Sequence, residues 1–331
     1  MKKIILISMI LLTLIMMTAC SVPIHLIGFI DTAGEWVVEP VFYGSLPYND
    51  GLFAVNLGGD IYGKWGFVDR DGNTVIEFKY DAVYSFYKGF APVMIVENDT
   101  EYWYFIDKEG NKAFGDQKFL GALVFSEGLA PVQSMEIASY GKWGYINTSG
   151  DFVIEPKYGT AGVFHEGLAM VRVGAGESGI CGYINTDGEM MIEPMYAYGG
   201  VFSEGLAPVK LTYNTDNQDW GYINSSGEVV IDYQFGYAKS FKEGLAPVVA
   251  GNPKTDLFSY IDTNGKTVIK ALFYDANPFY DGKAAIKRYP NSNAGWGYID
   301  NKGTLIIGGD YASCSDYNNG LAAVGLIVRK K

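Results

Sequence analysis

Two histidines, three cysteines and one recurring column of carboxylates hold most of the side-chain chemistry this 331-residue sequence offers. His25 lies near the N-terminus, and His165 sits in Phe164-His165-Glu166-Gly167. Equivalent segments place Ser126, Ser203 and Lys242 where His165 stands, which marks a solvated turn and not a general base. Asp69-Arg70-Asp71-Gly72 and Asn185-Thr186-Asp187-Gly188 crowd oxygen ligands into a tight turn as calcium loops do. Neither has the distal Glu that completes such a loop, so a plain hairpin turn is the stronger reading. Gly174-Ala175-Gly176-Glu177-Ser178-Gly179 spells a dinucleotide fingerprint, yet no helix follows it and the phosphate-binding reading is set aside. The carboxylates Glu39, Glu77, Glu155, Glu193 and Asp232 recur at one place in the pattern. As an acidic rim they would suit a cationic or sugar partner, or general acid–base work on a glycan; the alternative is a solvated strand edge whose charge discourages pairing. Tyr62, Tyr102, Tyr140, Tyr213 and Tyr289 fall in variable polar connections and obey no repeating rule. Tyrosine gives amphipathic contact area at low entropic cost, so these five are the candidate binding residues. No metal or cofactor is expected.

The elements that must position these residues are written in the spacing. Trp143-Gly144-Tyr145-Ile146-Asn147-Thr148-Ser149-Gly150 recurs as Trp220-Gly221-Tyr222-Ile223-Asn224-Ser225-Ser226-Gly227 and as Trp296-Gly297-Tyr298-Ile299-Asp300-Asn301-Lys302-Gly303. Weaker copies bring the total to eight units of about 38 residues, starting near 27, 65, 103, 143, 181, 220, 258 and 296 and spanning 27–328. After each Trp-Gly position comes an aromatic residue, then Ile or Val, then Asp or Asn, two variable residues and Gly. The Asx side chain can bond the turn backbone and Gly takes the positive φ, which predicts a β-hairpin. Aromatic-x-x-Gly-Leu-Ala-x-Val closes the unit, as in Phe202 to Val209. Three strands per unit follow, with a short irregular crossover between the second and third. Helix signals are absent, so the fold class is all-β. The aromatic columns are assigned to the core between units.

Trp-Gly-Tyr-Ile-Asp/Asn-x-x-Gly with a downstream Glu-Gly-Leu-Ala-x-Val resembles the bacterial WG (KWG) repeat. Lys64-Trp65-Gly66 and Lys142-Trp143-Gly144 carry the Lys of that name. Departures are Ile27, Cys181 and Phe258 at the Trp position, and Tyr104 and Ser259 at the Gly position. The resemblance implies a tandem array and no particular activity. A closed propeller-like ring is favoured over an open β-solenoid, because the chain begins on a first strand and ends on a third strand that could pair with it.

Lys2 and Lys3, the apolar run Ile4 to Met17 and Met17-Thr18-Ala19-Cys20 read as a secretory signal peptide over 1–19. The small residues before Cys20 resemble a bacterial lipobox, which implies cleavage there and lipidation of Cys20. Residues 20–26 then form a short tether, and 329–331 a basic tail. Loss of 1–19 removes two lysines and no acid, taking the net charge from −12 to −14. An acidic body argues against nucleic-acid binding. The expectation is a lipid-anchored binding scaffold on the extracytoplasmic face of a bacterial membrane, meeting an envelope protein or glycan, with an envelope glycan hydrolase as the alternative.

Overall fold

The computed structural model describes residues 23–58, 63–136, 141–174, 179–213, 219–290 and 294–329. They form eight small antiparallel sheets in a ring, an eight-bladed β-propeller. A representative blade runs Tyr198–Gly199, Leu206–Lys210, Trp220–Asn224, Val229–Phe235, each strand bonded to the next. Blade and repeat are therefore out of phase: the Leu-Ala-x-Val strand of one repeat pairs with the Trp-Gly strand of the next. The fourth strand, only two residues long, lies inside what reads from sequence as an irregular crossover. Two residues are too few to show a period-two pattern.

That offset leaves a half-blade at each end of the chain, and the two halves complete each other. Pro23–Asp31 pairs with Leu321–Arg329 over nine registered positions, from Pro23↔Arg329 to Asp31↔Leu321. Tyr317 Oη adds a 2.8 Å hydrogen bond to the Asp31 carbonyl across the seam. His25 belongs to this seam, with Nε2 3.1 Å from Ser313 Oγ. The pairing closes the ring and excludes the open solenoid.

Two turn types build one end of every blade. In the Asx hairpins, as at Asn147, Oδ1 accepts from the Ser149 and Asp151 amides while Gly150 sits at φ 88°. The four-residue turns around Glu-Gly are type I′: both central residues have positive φ, as Glu204 (57°) and Gly205 (78°) do. The carboxylate at the first central place also reaches the next blade. Asp50 bonds the Gly89 amide, Glu127 Gly167, Glu204 Gly244 and Asp281 Gly320. A string of blade-to-blade ties thus runs around this end.

The core lies between blades, as the aromatic columns foretell. Phe29, Phe67, Phe105, Tyr145, Tyr183, Tyr222, Tyr260 and Tyr298 are at most 1% exposed. Ring pairs such as Tyr222–Phe241 (4.8 Å) and Tyr298–Tyr317 (4.7 Å) join each blade to the following one. The buried hydroxyls are satisfied as well: Tyr145, Tyr183, Tyr222, Tyr260 and Tyr298 each donate 2.8 Å bonds to a carbonyl 17 residues on. Phe29 has no hydroxyl to offer Leu46, and Ser45 Oγ takes that carbonyl instead.

The Gly of the Trp-Gly pair has a steric cause. Opposite it the outer strand bulges, with Trp143 facing Tyr158 but Tyr145 facing Ile154. The bulge presses its backbone onto the glycine: a Cβ on Gly144 would stand 2.5 Å from Ile154 O and 2.7 Å from Pro156 N. Where Tyr104 replaces the glycine, the outer strand is lost, and that blade keeps three strands with two isolated bridges, whereas at Ser259, with a far smaller side chain, the bulge and the outer strand Thr267–Phe273 persist.

Candidate functional site

Antiparallel strand order puts both tight turns of a blade at one end and the connections from second to third strand at the other. At this second end, the first or last residue of each strand forms a row across the blade: Tyr198↔Lys210↔Trp220↔Phe235, and in the following blade Tyr237↔Val249↔Phe258↔Phe273. Most blades place something small first in the row, such as Gly44, Ala82 or Gly121. The two blades with Tyr there raise an aromatic ladder. Tyr213 meets Tyr198 edge-on at 5.6 Å, Tyr198 lies nearly parallel to Trp220 (6.3 Å, 18°), Trp220 meets Tyr237 at 5.4 Å, and Tyr237 meets Phe258 at 6.0 Å.

Two adjoining cavities open along this ladder. One of about 370 Å³ is lined by Tyr198, Lys210, Trp220, Gly236, Tyr237 and Pro253. The other, about 300 Å³, is lined by Tyr237, Lys239, Pro253, Phe258, Tyr274 and Asp275, so Tyr237 and Pro253 form the wall between them. Pro253 is carried by the connection 250–257, which folds back over Gly236. Any side chain at Gly236 would strike the Gly251 carbonyl, so the close approach requires glycine.

Each cavity is lined by a lysine that pairs with an aspartate, Asp275 being itself in the lining and Asp219 lying behind it. Lys210 is buried, with Nζ 3.5 Å from Asp219 Oδ1. Asp219 Oδ2 accepts from the Thr212 amide (3.0 Å) and hydroxyl (2.5 Å), whereas the buried Oδ1 accepts no hydrogen bond. Lys239 Nζ lies 3.1 Å from Asp275 Oδ1 and 3.2 Å from Asn277 Oδ1. Asn277 in turn donates to Asp316 at 2.9 Å. Burial raises the Asp316 carboxyl above its usual range against the opposing pull of Asn277 and Lys239. Burial, with Asp275 nearby, also raises the Tyr237 phenol. The site therefore combines flat apolar faces with paired charges.

Of the tyrosines singled out in the sequence, Tyr213 belongs to this ladder. Its hydroxyl bonds the Gly179 carbonyl and receives Arg172 Nη1 at 2.5 Å, and the Arg172 guanidinium lies 5.7 Å from the Tyr198 ring centre. Tyr102 lies on the strand Thr100–Ile106 beneath Lys118 Nζ, 4.5 Å from its ring centre. Tyr289 is exposed beside Arg288, and neither it nor Tyr102 lines the two cavities. Tyr62, Tyr140, Cys20 and the signal segment lie outside the described residues, as do the last two residues of the basic tail. Tyr198, Trp220, Tyr237, Lys210 and Asp219 went unmarked in the sequence. For Tyr198 and Tyr237 the signal was a large side chain in a column that elsewhere holds a small one; Trp220 stands in the Trp column of the repeat, and Lys210 and Asp219 carry no such mark.

Glu39, Glu77, Glu155, Glu193 and Asp232 are exposed, one to a blade, each the first residue of the outer-strand bulge. Bulge and charge together blunt the edge of the sheet. His165 is exposed at the edge of its type I′ turn. Both oxygens of Asp69 accept bonds from their own turn, as a hairpin requires. Cys181 and Cys314 are unpaired thiols. Among the described residues no cluster of three metal-binding side chains occurs.

A search of curated protein sequences finds no match. Solved structures match in fold at low identity. A prolyl endopeptidase aligns with a TM-score of 0.57 and 9% identity over 92% of this chain and 50% of its own. Oligopeptidase B from Leishmania major gives 0.51 and 8% over 79% and 48%, and prolyl oligopeptidase B from Galerina marginata 0.51 and 9% over 84% and 49%. The chain thus spans about half the length of these structures, and the likeness is one of fold. In sequence, the family described as WG containing repeat matches at 27–59, 65–96, 143–175, 182–213, 220–252, 258–288 and 296–326. The third repeat, which carries Tyr104 and loses its outer strand, is not among the matched segments. With well over half its length matched, the chain belongs to the WG containing repeat family.

Proposed function

We propose that this protein is a non-catalytic binding scaffold, held by a lipid on Cys20 at the extracytoplasmic face of a bacterial membrane. The observation that carries the binding reading is the aromatic ladder and its paired cavities on the connection-bearing end of the ring. Concave sites with apolar walls and a few fixed polar groups are where ligands bind. Regular columns hold the ring rigid, so departures from them can be given over to a ligand without loss of fold.

Support for the anchor comes from the leader, whose charged start, apolar run and small residues end on Cys20. The seam brings the first strand and the last together, so the basic tail begins beside the tether; each cation near anionic headgroups contributes about 1 kcal/mol. Growth with labelled fatty acid tests the anchor: the wild type should carry label and Cys20→Ser should not. For binding, purified protein with Tyr198→Ala should lose a partner that the wild type retains. Retention of every partner by that variant would move the site elsewhere. The hydrolase alternative gains no specific support, since successive members of the acidic column belong to different blades.

A further inference from the structure

We infer that the ladder groove takes a neutral oligosaccharide, laid across both cavities with sugar rings against the aromatic faces. This rests on the binding reading above and gives it a ligand class.

Three observations on the groove converge. First, its walls are flat aromatic faces: Tyr198, Trp220 and Tyr237 bound one cavity, and Tyr237 and Phe258 the next. Such faces take up the C–H side of a pyranose by dispersion and burial, with no charge required. Second, the polar groups come as donor with acceptor: Lys210 with Asp219, and Lys239 with Asp275. An anionic ligand would have to draw each lysine from its carboxylate and approach an acidic body, of net charge −14 without the leader, and a cation would meet the ammoniums. A hydroxyl both gives and accepts hydrogen bonds, so it can serve each member of a pair at once. A proline-rich segment would also suit aromatic walls, but it offers carbonyl acceptors and leaves the carboxylates unserved. Third, the motif repeats from one blade to the next, sharing the Tyr237–Pro253 wall. A ligand of repeating units fits a site of repeating units.

Titration calorimetry with maltohexaose, cellohexaose and chitohexaose, and with the trisaccharide of each, tests the proposal on the mature protein. At least one hexaose should bind, more tightly than its trisaccharide. Tyr198→Ala, at an exposed position, and Tyr237→Ala should each weaken it about tenfold or more, as loss of an aromatic anchor does. Tyr289→Ala, outside the groove, should leave it unchanged. If none of the sugars binds while a proline-rich or acidic peptide does so in a manner sensitive to Tyr198→Ala, the sugar assignment falls and the binding scaffold stands. If no sugar or peptide binds, or binding ignores both groove variants, both readings of the groove fall.

Discussion

Replacing Gly144 by Ala tests the reason for the glycine in the repeat. The added Cβ would stand 2.5 Å from Ile154 O, 2.7 Å from Pro156 N and 2.9 Å from Pro156 Cα, all backbone of the bulged outer strand. No flexible side chain can swing aside, so the strand must back away by about half an ångström or more, carrying the buried Ile154 with it. Overpacking of this kind costs about 1–3 kcal/mol. Restricting the unfolded chain returns about 0.4–1 kcal/mol, so the net loss is about 1–2 kcal/mol. Gly162 supplies the matched control. It follows the short strand Thr160–Ala161 of the next blade, needs no positive φ, and its nearest Cβ contact is an ordinary 3.4 Å. Gly162→Ala should be neutral or slightly stabilising. Calorimetric or fluorescence melts of the three proteins decide, at about 2 °C for each kcal/mol in a chain of this size. A Gly144→Ala protein as stable as the wild type would refute the steric account. If the account holds, Gly144→Ala and Gly221→Ala, in separate blades, should add.

Other consequences are open to direct measurement. Tyr222→Phe removes the donor to the part-buried Lys239 carbonyl, at a cost of about 1 kcal/mol in chemical denaturation. The Asn73 side-chain bond, joined by turn amides, holds Asp69 below its usual 3.8, and the Thr304 amide with Lys302 does so for Asp300. A depressed carboxylate contributes stability that is present above pH 4 and lost as pH falls through the folded value. Asp69→Asn with Asp300→Asn keeps the turns, as Asn147 and Asn224 do, and should flatten stability against pH between about 5 and 2. Burial raises the Cys181 thiol and encloses its sulfur, so alkylation at pH 8 should be slow in the folded protein and rapid in denaturant.

The ring was legible in the sequence because it is written eight times. Column reading finds positions that never vary, and those are the demands of backbone and core: Gly150 at its positive φ, Asn147 bonding the turn, Tyr145 between blades. The same method is blind to a two-residue strand such as Thr160–Ala161, which leaves no pattern. It is also blind to the cause of the Trp-Gly glycine, since the bulge that presses on it comes from the opposite strand. The candidate site was half legible. Tyr213 stood out as a tyrosine outside the rule, but Tyr198 and Tyr237 lie inside a repeating segment, meet Trp220 and Phe258 only once the strands of a blade are aligned, and join into one ladder only where Trp220 of one blade meets Tyr237 of the next. The acidic column shows the converse: a regular signal in sequence that marks the outer rim of the sheets.

The half-blade offset at the seam also bears on how such a chain can change length. Every repeat ends on strands that the following repeat completes, and the last is completed by the first. Duplicating one unit of about 38 residues therefore inserts a whole blade while both chain ends still find their complements. A deletion removes one just as cleanly, and only the angle between neighbours must adjust. The clasp is indifferent to the number of links, so a chain built this way can gain or lose a single blade while its first and last strands still pair.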